Sequence, residues 1–290
     1  MDQVITTFRQ LYYTCKASNK KIYEVALENE VGKGEYSEYS VRLQAKKSLD
    51  AMKEAIKIGL KSTEKSPSGM SGDDCNKLQN SNCSSILGDT ARKIMIYALA
   101  TSEQNLRMGT IVACPTAGSC GIVPSVLIAF AEDNNIPEGD QINALITAGE
   151  VCRLVSNKMA LAGAVGGCQA ECGVAAAMAT AALTQMRGGS VKQIINAVAL
   201  ALKNILGLTC DPVCGLVEIP CVKRNPFLAI HAVTASELAM ADIISKIPID
   251  EVVDAMEQTG KLMSPLLKES SQGGLAKTKT AIALEKNILK

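Results

Sequence analysis

The sequence has little of what several classes of binding protein need. Its 290 residues include no Trp and one His, and aromatic residues make up 3%. So few aromatic rings leave no stacking surface for single-stranded nucleic acid. Lys and Arg number 30 against 29 Asp and Glu, so the net charge is +1. This balance gives no electrostatic reason to expect nucleic acid or an anionic membrane as a partner.

The sequence also lacks the patterns of secretion and of membrane insertion. The first twenty residues contain no apolar run of about 7–15 residues behind a basic start, so no signal peptide is expected. The most membrane-like run, 160–183, is mostly Ala and Gly and carries Gln169 and Glu171. Because a spanning helix needs about 20 strongly apolar residues, we expect 160–183 to be a buried helix of a cytoplasmic protein.

Cysteine is plentiful, but no C-x-x-C pair occurs. The chain has 11 cysteines, an odd number, and a reducing compartment makes disulfides improbable. Zinc ribbons need two C-x-x-C pairs, and ferredoxins need C-x-x-C-x-x-C. The cysteines are therefore either buried small hydrophobes or ligands of a metal or cluster that scattered residues hold.

Helical periodicity dominates the chain, while alternating β-branched runs are rare. Asp140 and Ser190 are predicted to cap the helices that follow them. The pattern predicts an all-α, mainly helical fold in one domain spanning 1–290. The main predicted helices cover 38–65, 89–105, 125–132, 141–162, 191–206, 227–247 and 250–263.

Four loops between these helices are rich in Gly, Ser and Pro. Their glycines let the backbone approach a small ligand, and their hydroxyl and N–H groups suit a carboxylate. Turn formation alone explains any single loop equally well, but four such loops beside Ala-rich helices favour a ligand site. The loops read SPSGMSG (66–72), PTAGSCG (115–121), GAVGGCQAE (163–171) and TCDPVCGLVEIPC (209–221).

Four longer segments carry a resemblance to a known family. They read MGTIVACPTAGSCGIVPSVL, GGCQAECGVAAAMA, GLTCDPVCGLVEIPCVKRN and LKESSQGGLA. Together they resemble the α chain of the iron–sulfur L-serine dehydratases, over about 65–279. The resemblance implies a mainly helical catalytic domain with a 4Fe–4S cluster. It places the three cluster ligands on Cys168, Cys210 and Cys221.

The implied reaction converts L-serine to pyruvate and ammonia, with the iron that lacks a cysteine ligand acting as a Lewis acid. Loop chemistry and motif position predict six residues that bind the substrate carboxylate, while the catalytic base stays unassigned. These six are Ser66, Ser68, Gly69, Thr116, Gly118 and Ser119.

The resemblance also implies a partner. In that family another domain, either fused or a separate β chain, accompanies the catalytic domain. No part of this sequence looks like an additional α/β module, so a β chain is expected in a heterodimer or a higher oligomer. Single-chain members can end in a cysteine that reaches the cluster, whereas this chain ends in NILK, so that self-inhibition is not expected.

Two alternatives remain open at this level. One is a related cluster-dependent lyase such as an L-cysteine desulfidase, and the other is a non-catalytic iron–sulfur subunit or sensor. Several further residues carry expectations of their own. Cys114, Cys120, Cys172 and Cys214 are expected to be buried hydrophobes, His231 a satisfied histidine, and Glu171, Asp211, Lys223, Arg224 and Asn225 neighbours of the ligands.

Overall fold

The computed structural model describes residues 5–288, so the last two residues of the NILK ending lie outside the described part. Within these residues the chain forms α-helices, short 3-10 helices and one π turn, and no β-strand. The all-α prediction is therefore confirmed. The helices are α1 Phe8–Ser18, α2 Ile22–Gly32, α3 Glu38–Gly59, α4 Asp74–Gln79, α5 Asp89–Leu106, α6 Ile122–Asp133, α7 Glu138–Ser156, α8 Gly163–Gly166, α9 Val174–Met186, α10 Val191–Lys203, α11 Cys221–Met240, α12 Ile249–Leu262 and α13 Lys279–Ile288.

The Ala-rich helix α9 lies at the centre of the core. All residues from Val174 to Thr184 are buried, and α6, α7, α10 and α11 pack around them. Small side chains on every face let the surrounding helices approach closely, and the burial of all faces makes this helix apolar throughout. No helix among the described residues has the length and apolar character that crossing a membrane requires.

One of the two predicted helix caps is confirmed and the other is wrong. Ser190 caps α10: its hydroxyl accepts from the Gln193 N–H at 3.2 Å, and the Gln193 side chain accepts from the Ser190 N–H at 3.0 Å. Asp140 does not cap α7, because the helix already begins at Glu138 after Pro137. Asp140 instead lies in the first turn, where its charge favours the helix dipole.

The predicted helix over 160–183 is interrupted. The short α8 ends at Gly166 and is followed by Gly167, whose φ of +76° favours glycine. A π turn over Gln169–Gly173 then leads into α9. The predicted helix 227–247 begins six residues earlier, at Cys221, and ends at Met240. Both shifts put cysteines at helix ends.

Candidate functional site

Three buried cysteines from distant segments lie close together. Cys168 precedes the π turn, Cys210 lies in the loop before α11, and Cys221 is the first residue of α11. Their exposed fractions are 1%, 3% and 6%. Burial raises the pKa of Cys221 to about 12 and raises that of Cys210, and the charge of Cys168 raises both further. The three predicted ligands are therefore neighbours in space.

Gly163 leaves room beside the sulfur atom of Cys210. A Cβ at Gly163 would lie 2.9 Å from Cys210 Sγ and 3.0 Å from Glu171 Oε2. Any larger residue would push these two groups aside. The Gly-rich character of the 163–171 loop thus has a steric reason at this position.

Arg224 supplies the positive charge at the cysteines. Its guanidinium donates to the Thr209 carbonyl at 2.8 Å and to Asp211 Oδ1 at 2.9 Å. A hydrogen bond from Cys172 lowers the pKa of Cys168 from its ordinary value, and the guanidinium lowers it further. Cys168 is therefore the cysteine most disposed to exist as a thiolate.

Cys172 and Glu171 lie closer to Cys168 than the sequence indicated. The two sulfur atoms and one carboxylate oxygen all lie within 4.8 Å of one another. Burial and the neighbouring Cys168 raise the pKa of Cys172 well above its ordinary value, and burial raises that of Glu171. Cys172 is buried as predicted, but it is a direct neighbour of a candidate ligand.

The 115–121 loop packs against Glu171. The Thr116 hydroxyl donates to Glu171 Oε1, and a Cβ at Gly118 would lie 2.6 Å from the same oxygen. The Ser119 hydroxyl, fully buried, donates to the Cys114 carbonyl at 3.0 Å. This loop thus borders Glu171, the neighbour of Cys168, and both of its hydroxyls already have acceptors.

The 66–72 loop is fixed by a carboxylate that sequence reasoning missed. The hydroxyl groups of Ser66 and Ser68 donate hydrogen bonds to Glu218 Oε2 and Oε1, respectively, each at 2.8 Å. Glu218 is 5% exposed, and Gly69 takes a φ of +75° that closes the turn. The only sign of Glu218 in the sequence is an acid within the motif GLVEIPC. A single acid forms no repeating pattern, so the sequence does not reveal that its partners lie about 150 residues away.

Asn225 joins the 115–121 loop to α11. Its side chain is fully buried, and its Nδ2 donates to the carbonyls of Gly118 and Cys221, each at 2.9 Å. Its Oδ1 accepts from the Gly121 N–H at 2.9 Å. The side chain therefore fixes the position of Cys221 relative to the loop.

The segment 264–277 holds the loop that carries Cys210; we call it the carboxyl-terminal clasp. The Cys210 N–H donates to the Leu267 carbonyl at 2.9 Å, and the Glu269 N–H donates to the Cys210 carbonyl at 2.6 Å. Asp211 Oδ2 accepts from the Leu275 N–H at 2.9 Å. The LKESSQGGLA motif thus contacts the CDP motif directly.

The remaining predicted residues lie outside this centre. His231 Nε2 lies 2.8 Å from the Ala201 carbonyl, which gives the histidine a partner, as predicted. Lys223 pairs with Asp74 rather than facing the cysteines. Cys214 was predicted to be buried, and this prediction is wrong. The residue is half-buried and has a φ of +58°.

Comparison with known proteins matches this chain to one family over most of its length. The family model described as serine dehydratase alpha chain matches residues 17–276. The probable L-serine dehydratase alpha chain of Bacillus subtilis is 43% identical over 282 residues, which cover 97% of this chain and 94% of that protein. The L-serine dehydratase alpha chain of Peptoniphilus asaccharolyticus is 37% identical over 289 residues, or 99% of both chains.

A longer relative matches over a smaller region. The L-serine dehydratase of Streptomyces coelicolor is 42% identical over 187 residues, which cover 63% of this chain and 41% of that protein. The family model and both alpha-chain matches cover most of this chain. The chain belongs to the serine dehydratase alpha chain family.

Proposed function

We propose that this chain is the catalytic subunit of an L-serine ammonia-lyase. The enzyme removes water from L-serine, and the 2-aminoacrylate that results tautomerises and hydrolyses to pyruvate and ammonia. One observation carries the proposal: three buried cysteines from distant segments meet beside two hydroxyl-bearing loops. Relatives that match nearly the whole chain are named as alpha chains of L-serine dehydratase.

The residues at this centre fit a 4Fe–4S cluster held by Cys168, Cys210 and Cys221. Sulfur is the donor that such clusters take, and the site offers three buried sulfur atoms from separate segments. Gly163 leaves space beside Cys210, and Arg224 supplies a positive charge that favours thiolates. When bound, the cluster supplies a Lewis acid at the iron without a cysteine ligand.

The tight group of Cys168, Glu171 and Cys172 is the rival donor set, because its three atoms suit one small ion. A cluster of four irons is wider than one ion and suits sulfur atoms that stand apart. We therefore assign Cys172 to a supporting role, in which its thiol donates a hydrogen bond to Cys168.

The two loops line the substrate site in this proposal. The substrate carboxylate binds to Thr116, Gly118 and Ser119. The opposite side of the substrate site is lined by Ser66, Ser68 and Gly69. A hydroxyl proton serves one acceptor at a time, so Thr116 exchanges Glu171 for the carboxylate when substrate binds. The proposal does not assign the base that removes the Cα proton.

The proposal includes a reducing compartment and a second subunit. All eleven cysteines are free thiols, which supports a location such as the cytoplasm. The alpha-chain relatives support a separate β chain as the partner.

The test is anaerobic purification and cluster reconstitution of the chain, with and without a β chain. We expect about four iron atoms per chain and pyruvate from L-serine, with little from L-cysteine. Exposure to air should lower activity and iron content together, and ferrous iron with thiol should restore both. Sulfide release from L-cysteine alone would identify a desulfidase, and iron without turnover of either amino acid would identify a sensor or structural subunit.

A further inference from the structure

Glu218 is a buried carboxylate without a counter-charge among the residues that the structure describes. It is 5% exposed, and no Lys, Arg or His nitrogen among residues 5–288 lies within 4.0 Å of its oxygens. Burial of an unpaired carboxylate is costly, and a chain retains one where a positive charge arrives from outside or where the group supports the fold.

The Glu218 carboxylate is held in place, but only about half of its hydrogen-bond acceptor positions are occupied. The hydroxyls of Ser66 and Ser68 each donate one hydrogen bond at 2.8 Å, one to each oxygen. A carboxylate has about four acceptor positions, so roughly two remain for a donor that the described residues do not supply. The two serines therefore orient Glu218 without satisfying it.

Glu218 also lies where the two loops and the cysteines meet. It is three residues before Cys221, and its own carbonyl accepts the Val222 N–H at 3.0 Å in the first turn of α11. The neighbouring Val217 contacts the other loop, since a Cβ at Gly118 would lie 3.0 Å from Val217 Cγ1. The carboxylate of Glu218 thus contacts the 66–72 loop, while its chain neighbour Val217 reaches the 115–121 loop, so this segment lies between the two loops that line the substrate site.

We propose that Glu218 binds the ammonium group of the amino-acid substrate. This inference rests on the proposed function and adds a recognition residue to the same site. An ammonium offers three N–H donors and the missing positive charge. Ser66 and Ser68 are then positioning residues that aim Glu218, and the substrate carboxylate belongs to the 116–119 side.

The test compares two molecules that differ in the ammonium alone. L-serine has a hydroxyl, a carboxylate and an ammonium, and 3-hydroxypropanoate has the first two. In the reconstituted enzyme with its β chain, Glu218→Gln should raise KM for L-serine by roughly tenfold to a hundredfold, the range for loss of a charged hydrogen bond. The inhibition constant of 3-hydroxypropanoate should change less than about twofold.

Two further variants keep the inference falsifiable. Glu218→Asp keeps the charge at a shorter reach, so its KM should fall between wild type and Glu218→Gln, and it serves alone if the Gln variant does not fold. Glu54→Gln, at an exposed position on α3, should behave as wild type. Equal weakening of both ligands would show that Glu218 only supports the loop and would overturn the inference, as would an unchanged KM. A wild-type enzyme that makes no pyruvate would instead overturn the proposed function beneath it.

Discussion

At the scale of single residues, the cysteines divide by what surrounds them. Cys168, Cys210 and Cys221 share one buried centre with Arg224, whereas Cys15 is buried in the core and Cys83 is exposed. Sequence alone could not make this division, because a buried cysteine and a ligating cysteine have the same residue type. The motifs pointed to these three only through the family resemblance.

Replacing any of the three cysteines with Ala should abolish the brown cluster absorbance and the activity together. Removal of one thiolate leaves two ligands, too few to retain the cluster. Absorbance and iron analysis of anaerobically reconstituted protein would check this, with Cys15→Ala and Cys83→Ala as controls that keep both. Loss of the cluster in Cys214→Ala, with retention in Cys221→Ala, would show that the ligand set is wrong.

Glu103 makes the stability of the fold depend on pH. It is fully buried on α5, and its Oε1 accepts from the Asp74 and Cys75 N–H groups at 2.7 and 3.3 Å. Its Oε2 has no hydrogen-bond partner among residues 5–288, and the Arg107 guanidinium lies 3.9 Å from it. Burial raises its pKa above the unfolded value. For a carboxyl with a raised pKa, protonation favours the folded state, so this stability is complete below the unfolded pKa and is lost as pH rises through the folded pKa.

We therefore expect Glu103→Gln to remove this loss, because an amide does not titrate. Relative to wild type, the free energy of unfolding of the variant should increase as pH rises from about 4 to about 7. Urea unfolding across this range is the measurement, and Glu54→Gln is the exposed control. Parallel pH curves for wild type and Glu103→Gln would contradict the assignment.

At the scale of elements, Asn225 connects a loop to a helix start. Its three hydrogen bonds join Gly118, Gly121 and Cys221, although the loop lies more than 100 residues away in the chain. Asn225→Ala removes the side-chain partner of the Gly118 carbonyl and of the Gly121 N–H, both buried. At about 1–3 kcal/mol for each of these two groups, the loss should be about 2 kcal/mol or more in the free energy of unfolding.

Urea unfolding would measure that loss, and KM for L-serine should rise as the 116–119 loop loses its anchor. Asn134→Ala is the matched control, because Asn134 is exposed and bonds only to a carbonyl within its own helix. It should change stability by less than about 0.5 kcal/mol. A similar change in both variants would show that Asn225 does not fix the loop.

Helices were predictable from the sequence where apolar residues recur on one face. Helix ends were predictable where the capping residue lies within a few residues of the helix start. The helix predicted over 89–105 is observed as Asp89–Leu106, and Ser190 with Gln193 caps α10. The break inside 160–183 was missed because Ala and Gly give no contrast between faces. Contacts such as Glu218 with Ser66 depend on tertiary packing, and no local pattern encodes them.

At the scale of the whole molecule, exposed apolar side chains border the site; we call them the apolar rim. Gly167, two residues after Val165, lies near the end of α12, since a Cβ there would lie 2.7 Å from Met263 Sδ. Apolar patches at the edge of a functional site are typical of protein interfaces. The rim comprises Val165, Val217, Leu262, Leu266 and Leu275. The rim is the surface that we assign to the proposed β chain.

Leu262→Ser combined with Leu266→Ser should weaken binding of the β chain at least tenfold without loss of the cluster. Both side chains are more than half exposed, so the fold needs them little, while burial against a partner would stabilise the complex. Sedimentation of the chain with and without β would measure this. Alone, the chain should hold its cluster but be poorly active or aggregate.

Ile86→Ser is the control, because Ile86 is 98% exposed but precedes α5 at the end away from the site. That helix has 18 residues and is about 27 Å long, and its other end reaches the 115–121 loop through Asn105. If Ile86→Ser weakened binding of the β chain equally, the assignment of the apolar rim would be wrong. A fully active chain that does not bind β would also contradict it.

The carboxyl-terminal clasp has a consequence for how the protein is made. The backbone groups of Cys210 bond to Leu267 and Glu269, which a ribosome adds more than fifty residues later. At about 5–20 residues per second, the growing chain carries Cys168, Cys210 and Cys221 for several seconds before their final arrangement can form. Insertion of the proposed cluster would therefore follow translation of the clasp, and the three thiols would have to stay reduced and unligated until then.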